Sequence, residues 1–167
     1  MHKCRSLILY LWQYYNIQIS QNCYKLGKKM SNNSVFIEKL RSSGLRPTRQ
    51  RLQICRLLFD RQNTFHFSIQ DLSKMIADHY KEKVSLATVY NTIHAFKKKG
   101  YLKEIFINSD KTYFDTNTSN HHHFFNESTN ELIDLDNSEV GKINIKKKIP
   151  GKKINSVEVI VKIANSN

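Results

Sequence analysis

Apolar residues recur at helical spacing through the first two thirds of the chain and at strand spacing afterwards. Phe36, Ile37 and Leu40 fall on one side of a short helix over 34–42, with Ser34 as its cap and Gly44 as its stop. Beyond Pro47, Thr48 predicts an N-cap, and Leu52, Cys55, Leu58 and Phe59 keep helical spacing to about residue 60. Ser68 with Asp71 three residues on makes a near-capping box, opening a third helix with Ile69, Leu72, Met75 and Ile76 inside. Ser85 caps a fourth, in which Leu86, Val89, Tyr90, Ile93 and Phe96 follow at i, i+3, i+4, i+7 and i+10. Leu86, Val89 and Ile93 are expected to pack inward. Gly100 closes this helix behind Lys97, Lys98 and Lys99, which suit the negative end of a helix dipole.

The period then shortens. Residues 102–107 and 111–115 read as two strands of a hairpin about Asn108-Ser109-Asp110. Residues 121–125, 131–135 and 157–163 read as further strands. In the last, Val157, Val159, Val161 and Ile163 alternate with polar partners and Ile160 breaks the pattern. The lysine-rich 146–153, around Pro150-Gly151, reads as a solvated loop. Helices, then a hairpin, then a small sheet predict an α+β chain: an N-terminal winged helix-turn-helix over 30–115, followed by a small α/β unit over 116–167.

Composition sharpens this picture. Across 167 residues, 27 Lys and Arg against 14 Asp and Glu leave a net charge of +13, and 40% hydrophobic content argues against disorder. Such an excess favours a polyanionic partner, nucleic acid before an anionic membrane surface. It is uneven: residues 30–115 hold fifteen basic and eight acidic side chains, whereas 116–167 hold seven and six. The three cysteines Cys4, Cys23 and Cys55 are scattered, which argues against a disulfide framework or an intrachain thiolate zinc site and points to a reducing, cytoplasmic setting. The apolar run 7–19 is too short to span a bilayer, no small-residue cleavage site follows it, and no membrane role is expected. With Met30 reading as a second chain start, residues 1–29 are taken as a non-native or disordered extension.

In a winged helix the last helix before the wing enters the major groove. Ser85, Ala87, Thr88, Tyr90 and Asn91 then stand where base edges are met, with Ala87 and Thr88 suited to a thymine methyl, Asn91 to adenine, and Tyr90 to phosphate or stacking. Arg46, Arg49 and Arg51 are candidates for phosphate neutralisation. Further along, His121 and His123 share one face of a strand while His122 points to the other. Two imidazoles on one face suit zinc, iron or haem iron, but two ligands do not complete a site.

Gly44-Leu45-Arg46-Pro47-Thr48-Arg49-Gln50-Arg51, Ser85-Leu86-Ala87-Thr88-Val89-Tyr90-Asn91-Thr92 and Lys111-Thr112-Tyr113-Phe114-Asp115 resemble the ferric uptake regulator (Fur) family. The last two blocks, with His121-His122-His123-Phe124-Phe125 and Glu131-Leu132-Ile133-Asp134, look most like its iron response regulator (Irr) branch. The resemblance spans about 35–163. It implies a homodimeric transcription factor acting on double-stranded operator DNA of iron or haem homeostasis genes, with metal or haem controlling affinity. It also supplies further ligands: His66 from the DNA-binding unit, in a turn His66-Phe67-Ser68 before the third helix, Asp115 where relatives carry a ligating Glu, and Asp134, to join His121 and His123. The ion would be zinc, iron or manganese. A haem site at His121, His122 and His123 is the Irr-like alternative. Asn126 and Thr129 occupy the family's first structural-zinc cysteine positions, so that zinc site is expected to be absent. Two rivals remain at this level, a winged-helix module acting through protein contacts and a metallohydrolase. The second lacks both an H-E-x-x-H helix and a placed Glu base.

Overall fold

The computed structural model describes residues 29–108, 111–147 and 149–165, so the expectations for residues 1–28 lie outside it. Three hydroxyl caps begin the central helices. Thr48 accepts from the Arg51 N–H to open α2 (Arg49–Phe59), after α1 (Lys29–Ser42). Ser68 and Asp71 form a complete reciprocal capping box at α3 (Ile69–Tyr80), and Ser85 accepts from the Thr88 N–H at α4 (Leu86–Lys99). Each such cap contributes about 1 kcal/mol by satisfying an orphan donor. Gly100, at φ 82°, ends α4 in the left-handed region where only glycine is unstrained.

The four helices bury Phe36, Leu40, Ile54, Leu58, Leu72, Ile76, Val89, Ile93 and Phe96 in one core, each side chain worth about 1.5–3 kcal/mol on full burial. Against it lies an antiparallel sheet in the order β1 (His66–Phe67), β3 (Lys111–Asp115), β2 (Lys103–Asn108). Phe67 and Phe114, Cα partners across β1 and β3, stack on the helical core. This is the winged helix-turn-helix arrangement, with β2 and β3 as the wing.

The second sheet runs β5 (Glu131–Leu135), β4 (His122–Asn126), β6 (Ile160–Ile163), antiparallel on one side of β4 and parallel on the other. A smaller core joins the two sheets. Ile105 of β2 is buried with Phe125 and Leu132, flanked by Tyr113 and Ile160, and the Tyr113 hydroxyl donates to the Asn130 carbonyl at 2.9 Å. The wing therefore packs against the C-terminal sheet rather than standing free. Between β5 and β6 the described residues form turns and irregular backbone, without helix or strand.

Four sequence expectations are corrected. The first helix already runs through residues 29–33 rather than starting at Ser34, because the polar run before Ser34 contains no Pro or Gly to interrupt it. Leu86 is 51% exposed; the inward stripe of α4 is Val89, Thr92, Ile93 and Phe96, which puts Leu86 with Tyr90 and His94 on the outer face. His66 belongs to a two-residue strand instead of a turn, since Phe67 is drawn into the core beside Phe114. The last strand is short, and Ile160, the residue that breaks the Val alternation, is the one packed inward, with Val161 exposed.

Candidate metal centre

Five side chains from both sheets converge at the seam. His66 and Asp115 are Cα partners across β1 and β3; His123 and Asp134 are Cα partners across β4 and β5; His121 sits just before β4. One ligand atom from each lies within 4.8 Å of all the others. The Asp134 Oδ1 is 2.8 Å from the His66 Nε2 and 3.5 Å from the His121 Nε2. The Asp115 Oδ2 is 3.0 Å from the His121 Nε2, 3.5 Å from the His66 Nε2 and 3.8 Å from the His123 Nε2. Asp115 and His123 are fully buried, and Asp134 reaches solvent on one side.

These short distances are not hydrogen bonds. The Nε2 atoms of His66, His121 and His123 and the Asp115 Oδ2 are all buried without a hydrogen-bond partner. Burial of such polar atoms without partners is costly and rare in native proteins, and a cation is the group that satisfies acceptors arranged in this way. Three imidazole nitrogens and two carboxylate oxygens suit zinc, iron or manganese. The residues present therefore fit a divalent ion.

Outer groups hold the ligands in place. Asp115 Oδ1 accepts the Asn117 N–H at 2.7 Å, and Asn117 Nδ2 reaches Asp134 Oδ2 at 3.4 Å. The His121 Nδ1 donates to the Ser119 carbonyl at 3.1 Å, which turns its Nε2 lone pair inward. Burial alone pushes the Asp115 carboxyl up, but the His123 and His66 imidazoles and the Asn117 N–H outweigh it and hold that carboxyl well below the usual range. Asp115 is thus poised as an anion.

His122 does not join the cluster. It faces the other side of β4, and its Nδ1 accepts the Val159 N–H at 3.2 Å, which leaves the ring proton on Nε2. Of the three histidines named for a haem site, His121 and His123 thus belong to the cluster, while His122 is engaged with the backbone of the last strand. Asn117 and Ser119, which bond the ligands, and Glu158, whose Oε1 lies 4.0 Å from the His123 Nδ1, were missed by sequence reasoning. The first two carried a signal, because Asp115-Thr116-Asn117-Thr118-Ser119 builds successive Asx turns, with Asn117 Oδ1 accepting the Ser119 N–H at 3.1 Å. Glu158 carried none.

In the winged helix, Ala87, Tyr90 and Asn91 are exposed on the first turns of α4 and Thr88 is half-buried, while Ser85 is exposed but engaged as the cap. Tyr90 stacks on His94 at 6.2 Å, still 42% exposed. The three arginines differ. Arg46 is exposed, Arg49 pairs with Glu82 at 2.5 Å, and the Arg51 guanidinium donates to the Arg46 carbonyl at 2.9 Å. Among the described residues no helix is long and apolar enough to cross a membrane.

Known proteins share this fold. The profile of the Ferric uptake regulator family matches residues 42–162. The Peroxide-responsive repressor PerR of Staphylococcus aureus is 30% identical over 107 residues, 64% of this chain and 70% of that protein. Two solved structures share the fold. The ferric uptake regulator from Pseudomonas aeruginosa with manganese aligns at a TM-score of 0.57 and 22% identity, over 80% of this chain and 99% of that one. That of Vibrio cholerae aligns at 0.60 and 20%, over 77% and 98%.

Proposed function

Because the chain belongs to the ferric uptake regulator family, a family of DNA-binding transcription regulators and not of enzymes, we propose that a divalent ion at the seam governs its grip on operator DNA. His66, Asp115, His121, His123 and Asp134 would hold that ion, and the chain would act as a homodimer in the cytoplasm. The observation carrying this reading is the convergence of buried, partnerless ligand atoms from both sheets. Two of the five come from the sheet that contains the wing and three from the C-terminal unit. When bound, the ion supplies positive charge that offsets both carboxylates and ties the two sheets together.

The chain's own residues do the rest. Asp115 stays ionised, and His121 presents its Nε2 because its Nδ1 is engaged. His66 and Asp115 hold the winged helix against the C-terminal sheet, and this sets the spacing of the two α4 helices across a dimer. Helix α4 enters the major groove, with Asn91 reading adenine, Ala87 and Thr88 meeting thymine methyls, and Tyr90 on phosphate or base. Arg46, Arg49 and Arg51 neutralise phosphates, so affinity falls with salt at a slope near −0.9 per contact. A ligand alters operator affinity only through unequal affinity for the two arrangements. The arrangement with both sheets joined is taken as the DNA-competent one.

Iron or manganese suits this site better than haem, since donor atoms packed within 4.8 Å leave room for one ion and not for a macrocycle. Placement in the iron response regulator branch rests on the His121-His122-His123 run and on Leu132-Ile133-Asp134, and the ion reading does not require it. The test is anisotropy of a labelled iron-gene promoter duplex titrated with protein, with manganese and after chelation. Coupling energies of this kind correspond to about 5–150-fold in affinity. Manganese should tighten binding within that range, and the His121→Ala, His123→Ala double variant should lose the response. Equal binding with and without manganese, in protein that takes the ion up, would overturn the reading.

A further inference from the structure

One carboxylate lies outside the five ligands yet faces both the site and the wing. Glu158 precedes β6, and the backbone on its C-terminal side is clamped twice to β4: the Val159 carbonyl accepts the His123 N–H at 3.0 Å, and the Val159 N–H donates to His122. These two bonds fix where Glu158 stands. Its Oε1 lies 4.0 Å from the His123 Nδ1. That nitrogen is fully buried and has no hydrogen-bond partner. The same oxygen lies 2.7 Å from the Lys103 ammonium, which projects from the first strand of the wing.

Resting on the metal reading above, we infer that Glu158 is the positioning residue for His123. It selects the tautomer that carries its proton on Nδ1 and so presents Nε2 to the ion, and it shares this task with an ion pair to the wing through Lys103. The chemistry is general. A ligating imidazole donates its second N–H to an outer acceptor, which sets the tautomer and ring orientation and raises ligand basicity. His121 already has such an acceptor in the Ser119 carbonyl. For His123, Glu158 is the acidic side chain on the Nδ1 side; Asp115 and Asp134 face Nε2. Because Lys103 and His123 face one oxygen, a stronger pull from the imidazole weakens the hold on the wing. Glu158 therefore connects the site to the first strand of the wing, and it does so without touching the ion.

The test uses the full chain. Manganese and zinc affinities are measured by competition with a chelating dye for the wild type, Glu158→Ala and Glu158→Gln, each checked for an unchanged metal-free melting temperature. Loss of an outer-shell partner weakens metal binding by about 10–100-fold. Glu158→Ala should show that loss, and Glu158→Gln, which keeps an acceptor oxygen, should recover part of it. If the alanine variant does not fold, the glutamine variant decides, and its affinity should still fall below that of the wild type. Long-range proton–nitrogen NMR of the metal-free chain provides a separate readout. His123 should be the Nδ1–H tautomer in the wild type and a mixture of tautomers in the variant. Unchanged affinity together with an unchanged tautomer overturns the role of Glu158 while the ion site stands. A wild type that takes up neither ion overturns the metal reading itself.

Discussion

Replacing Asp115 with asparagine removes one negative charge from the site and almost nothing from its shape. Asp115 is fully buried, its Oδ2 meets three imidazoles, and its Oδ1 is anchored by Asn117. Asparagine keeps the anchor, so the metal-free fold should survive. The effect should appear only when an ion is present. At a manganese concentration about 100 times the dissociation constant, binding to the folded state alone stabilises it by about 2.7 kcal/mol. For a chain of this length each kcal/mol moves the melting temperature by about 2–4 °C, so the wild type should rise by about 5–11 °C. If losing an anionic ligand weakens affinity about 100-fold, the same manganese only half-saturates the variant, which leaves about 0.4 kcal/mol and a rise of 1–2 °C. Melts followed by circular dichroism, with manganese and after chelation, would show this. Acid should erase the wild-type rise, because imidazole and carboxylate ligands hold ions only when deprotonated. A variant that keeps the full rise would refute the placement of Asp115 on the ion.

Other consequences are accessible to simpler assays. Tyr90→Ala or Asn91→Ala should cost about 1–3 kcal/mol in operator binding while the salt dependence stays the same; retained discrimination between operator and scrambled duplex would count against α4 as the reading helix. Arg46→Ala should weaken all sequences alike and lower the salt slope by about one unit, and an unchanged slope would remove it from the phosphate contacts. Ile93→Ala, at the centre of the helical core, should cost about 2–5 kcal/mol in urea unfolding; a cost below 1 kcal/mol would contradict the packing described. Burial pushes the Cys55 thiol up to about 12 from 9.0, against the opposing pull of Lys39 and Arg56. Between those values the unfolded chain loses a proton that the folded chain keeps, so this contribution to stability falls as pH rises. The decline should be shallower in Cys55→Ala, and matching slopes would show that the thiol is accessible.

Most of the architecture was legible because local chemistry and global packing agree. Ser68 with Asp71, Ser85 and Gly100 marked helix ends by hydrogen-bonding and steric rules that operate within four residues. Leu86 misled for the same reason. It keeps helical spacing with Val89 and Ile93, yet as the first residue of α4 it lies beyond the reach of the core. At the site, strand alternation separated His121 and His123 from His122, whereas His66, Asp115 and Asp134 were named through family resemblance and come together only by long-range pairing. Glu158 was invisible, because its position depends on a parallel pairing between residues 37 apart, and no periodicity in one strand discloses its neighbour. The reversed face of the last strand has the same origin. Ile160 is drawn in by Phe125, Leu132 and Ile105, none of them near it in sequence.

Two of the site's residue pairs sit directly opposite one another on antiparallel ladders, His66 with Asp115 and His123 with Asp134. That makes the centre a matter of parity. Sliding any one of these strands by a single residue would turn its ligand outward and present the next side chain instead, Phe114 for Asp115 or His122 for His123. Insertions within the strands must therefore come in twos or be absorbed by bulges, whereas the linkers between them can change length by single steps. Over evolutionary time the chain can drift freely in its turns while every strand that carries a ligand keeps its odd–even count.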